Sequence, residues 1–163
     1  MSKNENLWRI LQMTNEWIRY SDTKAVALLG VQGVLLGFLM KSLSNAFSGK
    51  MSADLLFLTL IAFGFNILSV VLAFLCINPQ LKTKGSISPI YFGSIANHFE
   101  DSIHYYEHFS KTFTEHDHIA KELCSQVYLN SCIANKKFLR VTYSLRCFVG
   151  SLFCWMSLLL FLI

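Results

Sequence analysis

The stretch WIRYSDTKAVALLGVQGVLLGFLM, residues 17–40, joins a polar amphipathic segment to a run that contains no charge. Before this junction, charged and apolar residues alternate at helical spacing. After Ala25, no charged residue occurs from Val26 to Met40. An aromatic residue, an acid and a base at such a boundary are typical of a membrane-surface anchor, or of a site held against the membrane.

The composition favours a membrane protein over a soluble one. Of the 163 residues, 53% are hydrophobic and 15% are charged, whereas soluble domains carry about 25% charged residues. The apolar residues are concentrated in three long runs, which a single soluble core would not require. The formal charge of +4 is too small to indicate a nucleic-acid partner.

Three apolar runs predict three transmembrane helices. The first covers residues 25–40 and is short, but the flanking Lys24 and Lys41 can extend their charged ends to the membrane surface. The second covers residues 55–77, and the third runs from about residue 143 to residue 163. Because two dozen mixed polar residues precede the first run, it is expected to remain as an anchor and not to be cleaved as a signal peptide.

The predicted fold class is an all-α membrane protein in four parts. Residues 1–24 are expected to form an amphipathic N-terminal helix, and residues 25–78 a two-helix transmembrane hairpin. Residues 79–142 should form a cytoplasmic helical hairpin between spans two and three, and residues 143–163 the third transmembrane helix.

Within the cytoplasmic hairpin, Pro89 is expected to open the first arm, because proline is favoured in the first turn of a helix. Aromatic residues then recur at helical spacing as far as Phe113. The sequence Thr114-x-x-Asp117 resembles a capping box and indicates a new helix. This second arm is expected to continue into the last span as one helix of about 70 Å.

The distribution of Lys and Arg predicts the topology. Four lie in the segment through Lys24 and eight between residues 78 and 146, whereas the loop at 41–54 carries two. Under the positive-inside rule, the N-terminus and the 78–146 region are cytoplasmic.

Gln32 and Asn66 each lie near the middle of a predicted span. An amide facing lipid at this depth is costly, so each should face a neighbouring helix or water. One interpretation is an interhelical hydrogen bond, and the other is the lining of a pore after oligomerisation. Gly33 and Gly37 have the spacing that permits close approach of two helices.

The sequence provides no support for catalysis or for a resident cofactor. It has no glycine-rich phosphate loop and no nucleophile paired with a base. His104 and His108 have i,i+4 spacing, but no HExxH motif is present, so we expect solvated helix faces and no metal site. Five cysteines without a CxxC pair are expected to be reduced thiols.

Two features leave a binding interpretation open. The sequence SPIYFGSIA at 88–96 places aromatic rings beside a helix N-terminus, which suits a nucleotide, although core packing explains the same residues. A basic cluster precedes the last span, and it could contact anionic lipid or capture a phosphate. Its members are Lys136, Lys137, Arg140 and Arg146.

The motif Trp17-x-x-x-x-Asp22-x-Lys24-Ala25, followed by two close apolar spans, resembles the Pycsar effector transmembrane family. Tyr91-Phe92-Gly93-Ser94-Ile95-Ala96 and Tyr106, with a long helix returning to a last span, extend the resemblance from about Asn15 to Ile163. Members of the family often have Ala before the Asp, where this chain has Ser21.

The resemblance implies an antiphage defence effector of the bacterial inner membrane. Because no residues supply an acid–base pair or a nucleophile with a partner, we expect that the chain is not an enzyme. Such an effector senses a cyclic nucleotide from a partner cyclase, with cyclic CMP or cyclic UMP the expected ligand, and impairs the membrane. Our own hypothesis is that the nucleotide acts by favouring a homo-oligomer. Six residues match the motif as candidate ligand contacts, namely Trp17, Asp22, Lys24, Tyr91, Phe92 and Gly93. A non-catalytic membrane scaffold that recruits a partner through the cytoplasmic hairpin is the alternative.

Overall fold

The computed structural model describes residues 3–45, 47–48, 52–78, 88–114 and 116–162. Within these, the side chains of residues 3, 92, 112–117 and 161–162 lie outside the described part. The described residues form five helices, α1 (Lys3–Asn45), α2 (Ala53–Ile77), α3 (Phe92–His98), α4 (Ser102–Thr114) and α5 (His116–Leu162). Helices α1, α2 and α5 are long and apolar enough to cross a membrane. The predicted all-α, multi-pass membrane fold is confirmed.

Helix α1 combines the predicted amphipathic segment and the first span in 43 residues without interruption. The charge pattern changes at Lys24, but the backbone continues because α1 contains no proline and its first glycine is Gly30. Helix α5 likewise passes through residue 142, and its 47 residues correspond to about 70 Å. This is the continuous second arm that the sequence predicts.

The prediction for the first arm is wrong in two respects. Pro89 does not open a helix, since α3 begins at Phe92 with Tyr91 as its N-cap. The arm is also not one helix, because α3 ends at His98 and α4 begins at Ser102. Helix α4 begins as a separate helix because Asp101 caps it.

Asp101 caps α4 and thereby starts a new helix. Its Oδ1 accepts hydrogen bonds from the backbone N–H of Ile103 at 3.0 Å and of His104 at 2.8 Å. A carboxylate at this position supplies partners for amides that have none within the helix. The His104 N–H is the main cause of a pKa of the Asp101 carboxyl below its ordinary value.

The chain divides into two compact units, one of residues 1–19 and 79–135, and the other of residues 20–78 and 136–163. The first unit has a small apolar core of buried Leu11, Ile119 and Leu123, against which Leu7, Ile90 and Val127 pack. Its second cluster is aromatic. Tyr105 donates a hydrogen bond to the carbonyl of Pro89 at 2.9 Å, and its ring meets the edge of Phe99 at 5.4 Å.

The second unit packs the three membrane-crossing segments around two apolar clusters. One contains Leu35, Leu39, Ala62 and Phe148, and the other contains Ala25, Cys76 and Val141. Large apolar side chains cover the outward faces of the same helices, among them Val34, Phe38, Phe57, Phe74, Phe153 and Leu160. An apolar exterior is the surface that lipid chains solvate.

Candidate functional site

A hydrogen-bonded polar centre lies between the three helices of the second unit. Gln32 on α1, Ser69 on α2 and Ser144 on α5 are all fully buried. The Gln32 Nε2 donates to Ser69 Oγ and, at 3.4 Å, to Ser144 Oγ. The Ser144 hydroxyl is 2.7 Å from the Ser69 carbonyl, and the Ser69 hydroxyl lies within hydrogen-bond distance of the Ser144 carbonyl. These hydrogen bonds connect α1, α2 and α5 to one another at the same depth in the bundle.

Asn66 lies one turn from Ser69 on α2 and is also fully buried. Among the described residues, neither its Nδ2 nor its Oδ1 has a hydrogen-bond partner, and the same is true of Gln32 Oε1. One turn further, Ser151 Oγ donates to the carbonyl of Ala62 at 2.7 Å. The two amides of the predicted spans therefore face the interior of this unit, with three polar atoms left without a partner there.

An ion pair lies in the second unit near Lys24, where the polar segment of α1 ends and its apolar segment begins. Lys137 Nζ pairs with Asp22 Oδ1, and the two side chains are 5% and 34% exposed. Beside them, the Cys76 thiol donates to the carbonyl of Lys137 at 3.5 Å. Arg140 Nη1 donates to the carbonyl of Leu75 at 2.6 Å, near the end of α2. This layer joins α1, α2 and α5 through polar contacts.

These contacts bear on two predicted binding features. One oxygen of the motif residue Asp22 is held by Lys137, and Lys24 Nζ lies 4.2 Å from the centroid of the Tyr20 ring. Two members of the predicted basic cluster, Lys137 and Arg140, bind groups of this chain. Contacts within the chain therefore explain the positions of these charged side chains, and a bound ligand is not needed to explain them.

The Tyr91–Gly93 segment has a packing explanation for its glycine. A Cβ at position 93 would lie 2.8 Å from Cε1 and 3.1 Å from Cζ of the Tyr91 ring, closer than side-chain atoms ordinarily approach. The half-buried Tyr91 ring therefore lies over the backbone at Gly93. Phe92 is helical, but its side chain lies outside the described part. The amides of Ser94 and Ile95 both bond to the carbonyl of Tyr91 at 3.0 Å.

The six candidate ligand contacts are divided between the two units. Trp17, with 52% of its surface exposed, and the 91–93 segment belong to the first unit, whereas Asp22 and Lys24 belong to the second. Their role as ligand contacts stays a prediction. Gln32 and Asn66 both belong to the second unit.

A cleft of about 370 Å³ lies in the first unit, and the sequence analysis did not predict it. Its lining comes from the α3–α4 connection and one face of α4, namely His98, Phe99, Glu100, His104, Glu107, His108 and Lys111. The signal was present in the i, i+3, i+4, i+7 spacing of the four α4 residues. Three histidines share the cleft, yet no group of His, Cys, Asp or Glu suited to a metal ion was found among the described residues.

A family comparison and a comparison with individual proteins both find similarity to Pycsar effector proteins. A family described as the Pycsar effector protein domain matches residues 6–163 of the chain. The chain is 26% identical over 143 residues to the Pycsar effector protein PtPycTM of Propioniciclava tarda, covering 85% of this chain and 70% of that protein. No solved structure matches.

Proposed function

Since the chain belongs to the Pycsar effector protein family and is thereby an antiphage defence effector, we propose that it senses a cyclic nucleotide and then impairs the membrane. A partner cyclase would supply the nucleotide, with cyclic CMP or cyclic UMP the first candidates. No catalytic step by this chain is part of the proposal. Family membership favours this function over a membrane scaffold.

The proposed location is the bacterial inner membrane, with the N-terminus and the 78–146 region in the cytoplasm. The excess of Lys and Arg in these segments supports this orientation. It would place the first unit on the side where a cyclase releases its product.

The observation that carries the membrane part of the proposal is the polar centre of the second unit. Fully buried Gln32 and Asn66, with three polar atoms lacking partners among the described residues, are a costly feature for the interior of a membrane bundle. A bundle built only for anchoring would be more stable with apolar residues at both positions. The polar centre is therefore better explained by a state in which these groups meet water.

A homo-oligomer is the proposed assembly. A Cβ added at Gly33 or Gly37 would meet no heavy atom within 4 Å, so these glycines do not serve close packing among the described residues of this chain. Close approach of a second copy would use this surface. The nucleotide acts in this scheme by binding one arrangement of the helices more tightly than the other.

Two sets of residues are candidates for the nucleotide site. The first is the motif set identified by the resemblance, Trp17, Asp22, Lys24, Tyr91, Phe92 and Gly93. The second is the cleft of the first unit, where the Phe99 ring, carboxylates and Lys111 offer stacking, hydrogen-bond acceptors and a positive charge. A volume of about 370 Å³ lies within the range of small-molecule pockets.

Binding of labelled cyclic CMP and cyclic UMP to detergent-purified protein tests the proposal, with the size of the oligomer measured in parallel. We expect saturable binding of one nucleotide and a change of size. Trp17→Ala tests the motif set and Lys111→Ala tests the cleft, while Tyr128→Ala, at a residue 70% exposed, is the control. Folded protein that binds neither nucleotide refutes these two ligands. A constant size with a co-purifying protein would favour the scaffold.

A further inference from the structure

We infer that the path of water and small ions runs between α1, α2 and α5 of a single chain, and not between neighbouring copies. The path passes through the polar centre formed by Gln32, Asn66, Ser69 and Ser144. This inference rests on the membrane impairment proposed above and specifies its route.

Burial of the polar side chains carries the first step of the inference. Gln32, Asn66, Ser69 and Ser144 are all fully buried inside the second unit. A pore between copies would instead be lined by the outward faces of the helices. At the same depth those faces present Val31, Val34 and other large apolar side chains, and water leaves an apolar constriction.

The unpartnered polar atoms carry the second step. Asn66 Nδ2, Asn66 Oδ1 and Gln32 Oε1 have no hydrogen-bond partner among the described residues, although all are buried. Such groups raise the free energy of the closed arrangement. They lose that penalty once water enters between the helices, so the polar centre favours opening of the bundle.

Apolar clusters on both sides of the polar centre close the path. Along α1, Ala25 precedes Gln32 and Leu35 follows it. Along α5, Val141 precedes Ser144 and Phe148 follows it. Ala25 and Val141 belong to one apolar cluster, and Leu35 and Phe148 belong to the other.

The ligand class follows from the chemistry of the lining. Amide and hydroxyl groups offer both hydrogen-bond donors and neutral oxygen acceptors, which solvate water and small inorganic ions of either sign. The four residues of the polar centre carry no formal charge, so they supply no strong preference for one sign of charge. Opening requires that the three helices move apart by breaking the Gln32–Ser69 and Ser69–Ser144 bonds.

A cross-link across the polar centre tests the route. The Ser69 and Ser144 hydroxyls are 3.1 Å apart, so the double variant Ser69→Cys/Ser144→Cys places two thiols at the contact between α2 and α5. The variant is placed in phosphatidylethanolamine–phosphatidylglycerol vesicles containing trapped potassium chloride, and cyclic CMP or cyclic UMP is added. The released potassium is measured with an ion-selective electrode. Mass spectrometry verifies the bond, and each single variant controls for the five native cysteines.

We expect potassium release from the oxidised double variant to be at least tenfold slower than from its reduced form. Equal release from both forms, with the bond verified, would overturn the inference. Wild-type protein that releases no potassium with either nucleotide would count against the proposed function with these two signals.

A second comparison decides the route without a nucleotide. Phe148→Ser opens the apolar cluster beside the polar centre, whereas Phe153→Ser introduces the same change five residues later at a side chain 71% exposed. We expect the first variant to leak at least tenfold faster and the second to leak as the wild type does. Oxidation of Phe148→Ser combined with the two cysteines should stop the leak reversibly, which misfolded protein would not do. A faster leak from Phe153→Ser, or equal leaks from both, would overturn the inference.

Discussion

Replacement of Asp22 should destabilise the protein more than replacement of its partner Lys137. The two form an ion pair in which the lysine side chain is 5% exposed and the aspartate side chain 34% exposed. Asp22→Ala leaves a buried ammonium without a counter-charge. Lys137→Met removes that charge, fills the space of the lysine stem, and leaves a carboxylate that water already reaches.

The exposed fractions of the two side chains determine how much stability each replacement should cost. Removal of one partner from a fully buried pair costs about 3–5 kcal/mol. Since water reaches Asp22, it can partly solvate the abandoned ammonium, and we expect about 2–3 kcal/mol for Asp22→Ala. For Lys137→Met we expect about 1 kcal/mol, because only a partly exposed carboxylate loses its partner. The double variant should resemble Lys137→Met, which gives a coupling free energy of about 2–3 kcal/mol.

The assay is reversible unfolding in mixed detergent micelles, followed by far-ultraviolet circular dichroism, with nucleotide binding measured on the same samples. Equal losses of stability from Asp22→Ala and Lys137→Met would refute the argument from burial. Unchanged stability of Asp22→Ala together with lost nucleotide binding would show that Asp22 serves the ligand and not the ion pair. Asp22→Asn tests whether the charge or the shape of the side chain matters.

Three further predictions concern the first unit. Gly93→Ala should cost about 1–2 kcal/mol, because its Cβ meets the Tyr91 ring at 2.8 Å, and Tyr91→Ala in the same chain should cancel most of that loss in chemical denaturation. Leu123→Ala, at a fully buried residue, should cost about 2–4 kcal/mol, whereas Tyr128→Ala at an exposed one should change stability by less than about 0.5 kcal/mol. The lowered pKa of Asp101 means that its capping contribution is complete above the ordinary Asp range and is lost as pH falls through the lowered value. Wild-type protein should therefore lose α4 helicity in acid, and Asp101→Asn, which caps without a charge, should show a flatter pH profile by hydrogen exchange; identical profiles would contradict the cap.

Local sequence patterns predicted most of the helices, and the helix boundaries that they missed have local causes. Helix α2 begins at Ala53, two residues before the predicted start of the second span, and Asp54 lies in its first turn, where an acidic residue is favoured. The aromatic spacing that runs through the first arm correctly predicted helix but concealed the break, because periodicity does not detect a cap. Asp101 was visible in the sequence, yet its capping role depends on the backbone turning at Phe99–Asp101.

The candidate sites were less predictable than the fold. Gln32 and Asn66 were identified because an amide in an apolar run is conspicuous, and burial was expected from its cost in lipid. Their neighbours Ser69 and Ser144 were not, since serine is unremarkable in such a run. His98 and His104 are exposed, in agreement with the predicted solvated helix faces, but the sequence did not predict that they line one concave surface with the half-buried His108.

The sequence by itself determined that this protein crosses a membrane three times with helices, because hydrocarbon accepts only long apolar segments whose backbone groups bond internally. It also indicated the family, through two short motifs, at residues 17–25 and 91–96, each of which is local in the chain. Only the tertiary structure decided which polar groups meet: that Asp22 pairs with Lys137, 115 positions away, and that Gln32 bonds to Ser69 and Ser144 while Asn66 has no described partner. These pairings follow from the rotation and register of packed helices, which residues distant in sequence set together and no local pattern encodes.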